Sequence, residues 1–181
     1  LLNERIYTDT ELNYKSSKII QVNINKRATF ADFNNYSKRL TGYIIVSNLD
    51  IFFGESLKNL FFSGLHDKKA ILCQLRFETK DALFWDKNVL SIEKEIQRDR
   101  QWSNKKVDNI LMGTPFSSDA WIHHSNFPFE SNDLKIHLGL NGCENRLHYE
   151  LNKLGFEVIS QPYFVRAYHK HATNKRNYDI N

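Results

Sequence analysis

The chain has 181 residues, 41% of them hydrophobic and 13% aromatic, which is enough for one domain with a sizeable core and too apolar for a disordered chain. Lys and Arg total 25 against 21 Asp and Glu, a formal charge of +4 that favours an anionic ligand but gives no basic stripe for nucleic acid. Cys73 and Cys143 lie far apart and outside any zinc-type cluster, so they read as free thiols in a reducing compartment, and a cytoplasmic location is expected. No run approaches the roughly twenty apolar residues of a membrane span, and the opening residues lack the pattern of a signal peptide. Leu1-Leu2-Asn3-Glu4 reads as the start of a segment cut from something longer. The expectation is therefore a single domain over 1–181, incomplete at its N-terminus and open to fusion with further domains.

Leu1 to Tyr14 reads as the end of a strand and a loop. The β-branched content of Lys18-Ile19-Ile20-Gln21-Val22-Asn23-Ile24 predicts a strand. Thr29-Phe30-Ala31-Asp32 opens a helix as a capping box; Phe30, Phe33 and Leu40 recur at helical spacing, and Gly42 closes it. Tyr43-Ile44-Ile45-Val46 follows at once, an apolar run of the kind buried on both faces of a parallel sheet. Strand, helix and strand in this order predict a βαβ unit with parallel strands. Ser56 is expected to cap a short helix that carries Leu57, Leu60 and Phe61 and ends at Gly64.

Ala70 to Leu75 is a further strand, and a helix is expected near Ser91 to Arg100. Ala120-Trp121-Ile122 forms a short strand or turn, and Phe127-Pro128-Phe129 a loop. Gly139 and Gly142 mark a backbone that bends before a helix from about Glu144, with Leu147, Leu151 and Leu154 on one face and Gly155 at its end. Phe156 to Ser160 is a strand that Pro162 breaks. The whole predicts an α/β domain with a mixed, mostly parallel sheet flanked by helices.

Asn48 and Asp50 follow the Tyr43–Val46 strand, and in open α/β sheets the site lies outside the carboxyl ends of the strands. In an extended chain both side chains point the same way, which suits Mg or Mn with phosphate completing the coordination. A capping and turn pair is the commoner use of Asn and Asp at such an end. Glu144, at a helix N-terminus behind a Gly-rich turn, can act as a general base toward an alcohol, or is an ordinary acid in a first helical turn. Asp119 in Ser118-Asp119-Ala120-Trp121 can hydrogen-bond a sugar hydroxyl while Trp121 packs on the sugar's apolar face; a loop N-cap and a core Trp fit equally. His169 and His171 alternate, so they share a face that can bind metal or donate to phosphate, unless they belong to a solvated basic tail with Lys170, Lys175 and Arg176. His123 and His124 read as a surface pair, and Cys143, beside an acid rather than a His, does not read as a nucleophile.

Taken in order, these segments resemble a family. Ser47-Asn48-Leu49-Asp50-Ile51 looks like a variant, beginning with Asn, of the DxD motif of A-type fold glycosyltransferases. Gly142-Cys143-Glu144-Asn145-Arg146-Leu147 resembles the Gly-Cys-acid-Asn-Arg motif of a glycosyltransferase group found in bacteria, algae and large viruses. Ser118-Asp119-Ala120-Trp121-Ile122 is similar to that group's Asp-Ala-Trp segment, as is Tyr168-His169-Lys170-His171 followed by Arg176-Asn177-Tyr178. The resemblance covers Ile19 to Tyr178 and implies a Rossmann-like nucleotide-diphospho-sugar transferase fold without its first strand and helix.

The same resemblance implies the roles. Asn48 and Asp50 would hold a divalent Mn or Mg on a nucleoside diphosphate sugar, with His169 or His171 reaching the metal or diphosphate. Gly139 and Gly142 would line the donor sugar, Arg176 would contact the diphosphate, and Glu144, or failing that Asp119, would be the base. The implied activity is metal-assisted, inverting transfer of a sugar to a hydroxyl on a glycan or lipid-linked sugar, in polysaccharide biosynthesis. Two rivals stand beside it. One is a non-catalytic carbohydrate-binding or assembly domain, favoured by Asn in place of the first Asp. The other is a metal-dependent phosphoesterase using Asp50, Glu144 and the His pair.

Overall fold

The structure, a computed structural model, describes residues 4–8, 19–23, 25–78, 118–129, 134–162 and 164–169. In chain order these form β1 (Glu4–Thr8), β2 (Ile19–Asn23), α1 (Phe30–Ser37), β3 (Tyr43–Ser47), β4 (Ile51–Phe53), a 3-10 helix (Glu55–Phe62), β5 (Ala70–Gln74), β6 (Arg76–Glu78), β7 (Ala120–His124), α2 (Cys143–Lys153), β8 (Glu157–Ile159) and β9 (Ala167–His169). The helix expected near Ser91 to Arg100 lies outside the described residues, as do His171 and Arg176.

The fold is α/β with mixed sheets. A four-stranded sheet has the order β3-β7-β5-β8, a three-stranded sheet the order β4-β9-β6, and β1 pairs with β2. The expectation of a mostly parallel sheet is corrected in the four-stranded sheet: β7 runs antiparallel to both β3 and β5, and only β5–β8 is parallel. The cause is that β7 comes between β3 and β5, where a βαβ crossover would have made them neighbours. The expected βαβ unit is corrected too. Its first strand, β2, pairs with β1 in a parallel ladder of its own, while β3 belongs to the four-stranded sheet.

The run expected to be buried on both faces is also reassigned. β3 is an edge strand whose buried residues, Ile44 and Val46, alternate with half-buried ones. The strand buried at every position is β5, Ala70-Ile71-Leu72-Cys73-Gln74, which lies inside the sheet between two apolar layers. On one side Ile71, Cys73 and Trp121 pack with Phe30 of α1 and Cys143, Leu147 and Leu151 of α2. On the other, Ala70, Leu72 and Ile122 pack with Leu60, Leu65 and Val165. The period of two along β5 and β7 is what divides these residues between the layers.

Local chemistry sets the ends of the helices. The Thr29 hydroxyl accepts the Asp32 N–H, and the Asp32 carboxylate accepts the Thr29 N–H at 2.9 Å, which closes the predicted capping box. α1 stops at Ser37, so Leu40 lies beyond it and Gly42, at φ +100°, turns the chain into β3. Ser56 is not a cap: its hydroxyl accepts the Arg166 N–H at 2.9 Å, and Gly54 precedes the 3-10 helix. α2 starts behind Gly142 and is followed by Gly155, both at φ +78°, a conformation other residues adopt only with strain. No helix among the described residues is long and apolar enough to cross a membrane.

Candidate functional site

β3 and β5 both run antiparallel to β7, so they run in the same direction, and their carboxyl ends flank the start of β7. Asp119 stands at that point. Its N–H donates to the Gln74 carbonyl at 3.1 Å and its carbonyl accepts the Asn48 N–H at 3.3 Å, extending both ladders by a residue. This backbone clamp holds the side chain in place. The Asp119 carboxylate, only 6% exposed, accepts the Asn48 Nδ2–H at 3.1 Å and pairs with Arg76 Nη1 at 2.9 Å. A carboxylate so deeply placed needs such partners, because an unpaired buried charge is costly.

α2 closes the site from the first side of the sheet. Glu144 is in its first turn, half-buried, and feels both neighbouring charges. Burial raises its pKa most; its own backbone N–H and the Cys143 thiol lower it, the Asp119 carboxylate raises it and the Arg76 guanidinium lowers it. One turn on, His148 falls on the same face by helical spacing. It is buried, its Nε2 lies 3.4 Å from Ser118 Oγ, and burial lowers its pKa. Ser118 also hydrogen-bonds the Cys73 thiol, which burial holds well above the usual thiol range. Cys143 is pushed up to about 11 by burial first and by Glu144 second. Neither cysteine has the lowered pKa of a reactive thiol.

Of the residues singled out in the sequence, Asn48 and Asp119 are thus hydrogen-bonded, and Glu144 lies near enough to feel the Asp119 charge. Asn48 and Asp50 do not lie on an extended chain. The Asn48 carbonyl accepts the Ile51 N–H at 3.2 Å and closes a four-residue turn, so the alternation that would set both side chains together does not apply. Trp121 is a core residue, 2% exposed and set edge-on against Phe30 with ring centroids 4.7 Å apart, so it offers no face to a sugar. His123, expected at the surface, is 1% exposed, and burial lowers its pKa to about 4. Gly139 and Gly142 bracket the turn before α2, and Gly139 lies beside the Arg27 guanidinium, which reaches the Leu138 and Gly139 carbonyls.

The backbone of His169 pairs with Ile51 on one side and Glu78 on the other, next in register to Asp50. Among the described residues no group of three or more His, Cys, Asp or Glu side chains is arranged to hold a metal ion. At Asp119 the positive charge comes from Arg76, and Asn48 turns its amide N–H, rather than its carbonyl, toward the carboxylate.

Sequence reasoning missed Arg76 and His148. The signal for Arg76 was a cation directly after the apolar run Ala70–Leu75, at the carboxyl end of a strand. The signal for His148 was its spacing of one helical turn from Glu144. Comparison with family models, with curated proteins and with solved structures returned no match for this chain.

Proposed function

We propose that the chain is a glycosyltransferase domain of the A-type, Rossmann-like kind, taking a nucleoside diphosphate sugar as donor and a hydroxyl of a glycan or lipid-linked sugar as acceptor. The observation that carries this reading is the Asn48–Asp119 hydrogen bond, with Arg76 paired to the same carboxylate and Glu144 within range of both charges. Asn48, Asp119 and Glu144 come from three separate motifs of the resemblance, and Asn48, Asp119 and Arg76 are joined at the carboxyl ends of β3 and β5.

In this reading Glu144 takes the proton from the acceptor hydroxyl. Its raised pKa makes it a stronger base than an exposed carboxylate, which is the direction a general base requires. Asp119 is held by its ion pair and positions Arg76 and the Asn48 amide. Arg76, whose side chain is 32% exposed, brings positive charge for the donor diphosphate. A divalent Mn or Mg, when bound, would supply further neutralisation of the leaving diphosphate. Because no described cluster is arranged to hold one, no step here runs through it.

The test is sugar transfer and donor hydrolysis with UDP- and GDP-sugars, run on wild type and Glu144→Gln. Loss of a general base predicts a fall of about 10²–10⁴-fold in kcat with donor affinity kept. Equal rates in the two proteins would remove Glu144 from the chemistry. The engagement of Asp119 by both Arg76 and Asn48 favours a second reading, a non-catalytic carbohydrate-binding domain. That reading predicts glycan binding with no donor turnover in either protein.

A further inference from the structure

The buried face of α2 consists of Cys143, Leu147, His148 and Leu151. Cys143, Leu147 and Leu151 pack with Ile71, Cys73 and Trp121 of the four-stranded sheet. Apolar packing is non-directional: it presses the helix onto the sheet and fixes its rotation less sharply than a directional contact does. His148 is the imidazole in that face. A buried ring nitrogen without a partner is costly, so its place among apolar side chains needs a physical account.

Ser118 supplies the partner. It is buried directly before Asp119, its Oγ lies 3.4 Å from His148 Nε2, and it also hydrogen-bonds the Cys73 thiol. A hydroxyl can donate and accept at once, so one side chain joins β5, the start of β7 and α2. Cys73, Ser118 and His148 are all buried, where water does not compete for these contacts. Asp119 follows Ser118 directly, and its backbone is held to the ends of both β3 and β5. Glu144 precedes His148 by one helical turn, about 6 Å along the axis. The Ser118–His148 contact therefore ties α2 to the sheet beside Asp119 and one turn from Glu144, and a helix turned or shifted about this point would carry Glu144 with it.

We infer that His148 is a positioning residue: through Ser118 it fixes the rotation and height of α2 against the start of β7, and so fixes where the Glu144 carboxylate stands relative to Asp119 and Arg76. The catalytic consequence rests on the glycosyltransferase reading, in which Glu144 is the base; the placement of Glu144 does not. The charged and titratable groups that face Glu144 are Asp119 and Arg76 from the sheet and the Cys143 thiol on its own helix.

The test is an NMR titration of the Glu144 side-chain carboxyl in the whole chain, for wild type, Ser118→Ala, His148→Leu and His148→Gln. Ser118→Ala removes a single oxygen, so it carries the test even where His148→Leu does not fold. The midpoint, raised in wild type, is expected to move toward the ordinary glutamate value in both Ser118→Ala and His148→Leu, and no further in the double variant. His148→Gln should restore it, because the glutamine amide can reach Ser118 Oγ in place of the imidazole nitrogen. In a transfer assay Ser118→Ala and His148→Leu should lower kcat and shift its pH profile with the donor KM kept. A Glu144 midpoint that stays at its wild-type value in Ser118→Ala and His148→Leu, or that His148→Gln fails to restore, would overturn the inference. A wild type that transfers no sugar would count against the glycosyltransferase reading alone, and the titration would still decide the placement.

Discussion

The two ends of β7 handle the same difficulty in opposite ways. At its start the carboxylate of Asp119 is kept charged inside the protein by a guanidinium, an amide and a backbone clamp on both sides. At its far end His123, equally buried, is kept neutral: burial lowers its pKa to about 4, and one ring nitrogen leans on a backbone carbonyl. Maintaining a buried charge takes several partners drawn from distant segments, and a protein concentrates them where the charge has work to do. A buried neutral ring needs only a shape and a hydrogen bond. The contrast agrees with the proposed site at the Asp119 end and with a place in the core for the His123 end.

The largest effect expected from this comparison is a pH dependence of stability that belongs to His123. Its folded pKa, about 4, lies below the ordinary 6.5, so between these values the unfolded chain binds a proton that the folded chain does not. Stability should therefore be fully present above pH 6.5 and fall as pH drops toward 4, by up to about 3 kcal/mol. His148, lowered by its own burial, adds in the same direction. Urea unfolding across this window measures the slope, and His123→Phe should flatten it. An unchanged slope in that variant would break the contrast.

At the other end, Arg76→Ala leaves the Asp119 carboxylate buried without its cation. The expected cost at neutral pH is about 2–3 kcal/mol, below that of a fully enclosed pair because the Arg76 side chain is 32% exposed. The double variant Arg76→Ala/Asp119→Asn should recover part of it. Asn48→Ala removes one hydrogen bond to the same carboxylate and should cost about 1 kcal/mol by the same denaturation measurement.

Glu144→Gln is expected to have the smallest effect on stability and of the opposite sign. A carboxylate whose folded pKa is raised disfavours the folded state once it ionises, so the neutral amide should be slightly stabilising above the unfolded carboxylate range. That gain is expected to stay within about 0.5 kcal/mol. A sizeable loss would mean that Glu144 is a structural partner and would remove the contrast between the held Asp119 and the raised Glu144.

Elements with a strong local signal were legible in the sequence. The apolar run at Ala70–Gln74, the capping box at Thr29 and the Leu147–Leu151 face of α2 each carry their own period or cap, and each is found in the structure. Pairing was not legible. That β7 enters antiparallel between β3 and β5 depends on where distant segments land, and nothing local in Ala120–His124 encodes it. The strand Ala167–His169 read as part of a basic tail because it is only three residues long and gains its pairing from β4 and β6. For the site, Asn48, Asp119 and Glu144 stood out as acids and amides at element ends. Arg76 and His148 did not, because one cation among 25 and one His on an apolar helix face have meaning only once their neighbours are known. The burial of His123 and Trp121 follows from α1 covering β7, a tertiary fact that outweighs the polar look of Trp121-Ile122-His123-His124.

The most direct measurement is calorimetric titration of UDP and GDP, with and without Mn, into wild type and Asp119→Asn. The account predicts that one nucleotide binds wild type and that affinity falls at least about tenfold in Asp119→Asn, where Arg76 and Asn48 lose the carboxylate that orders them. Identical binding by the two proteins, or none by wild type with or without Mn, would contradict a donor site at the start of β7.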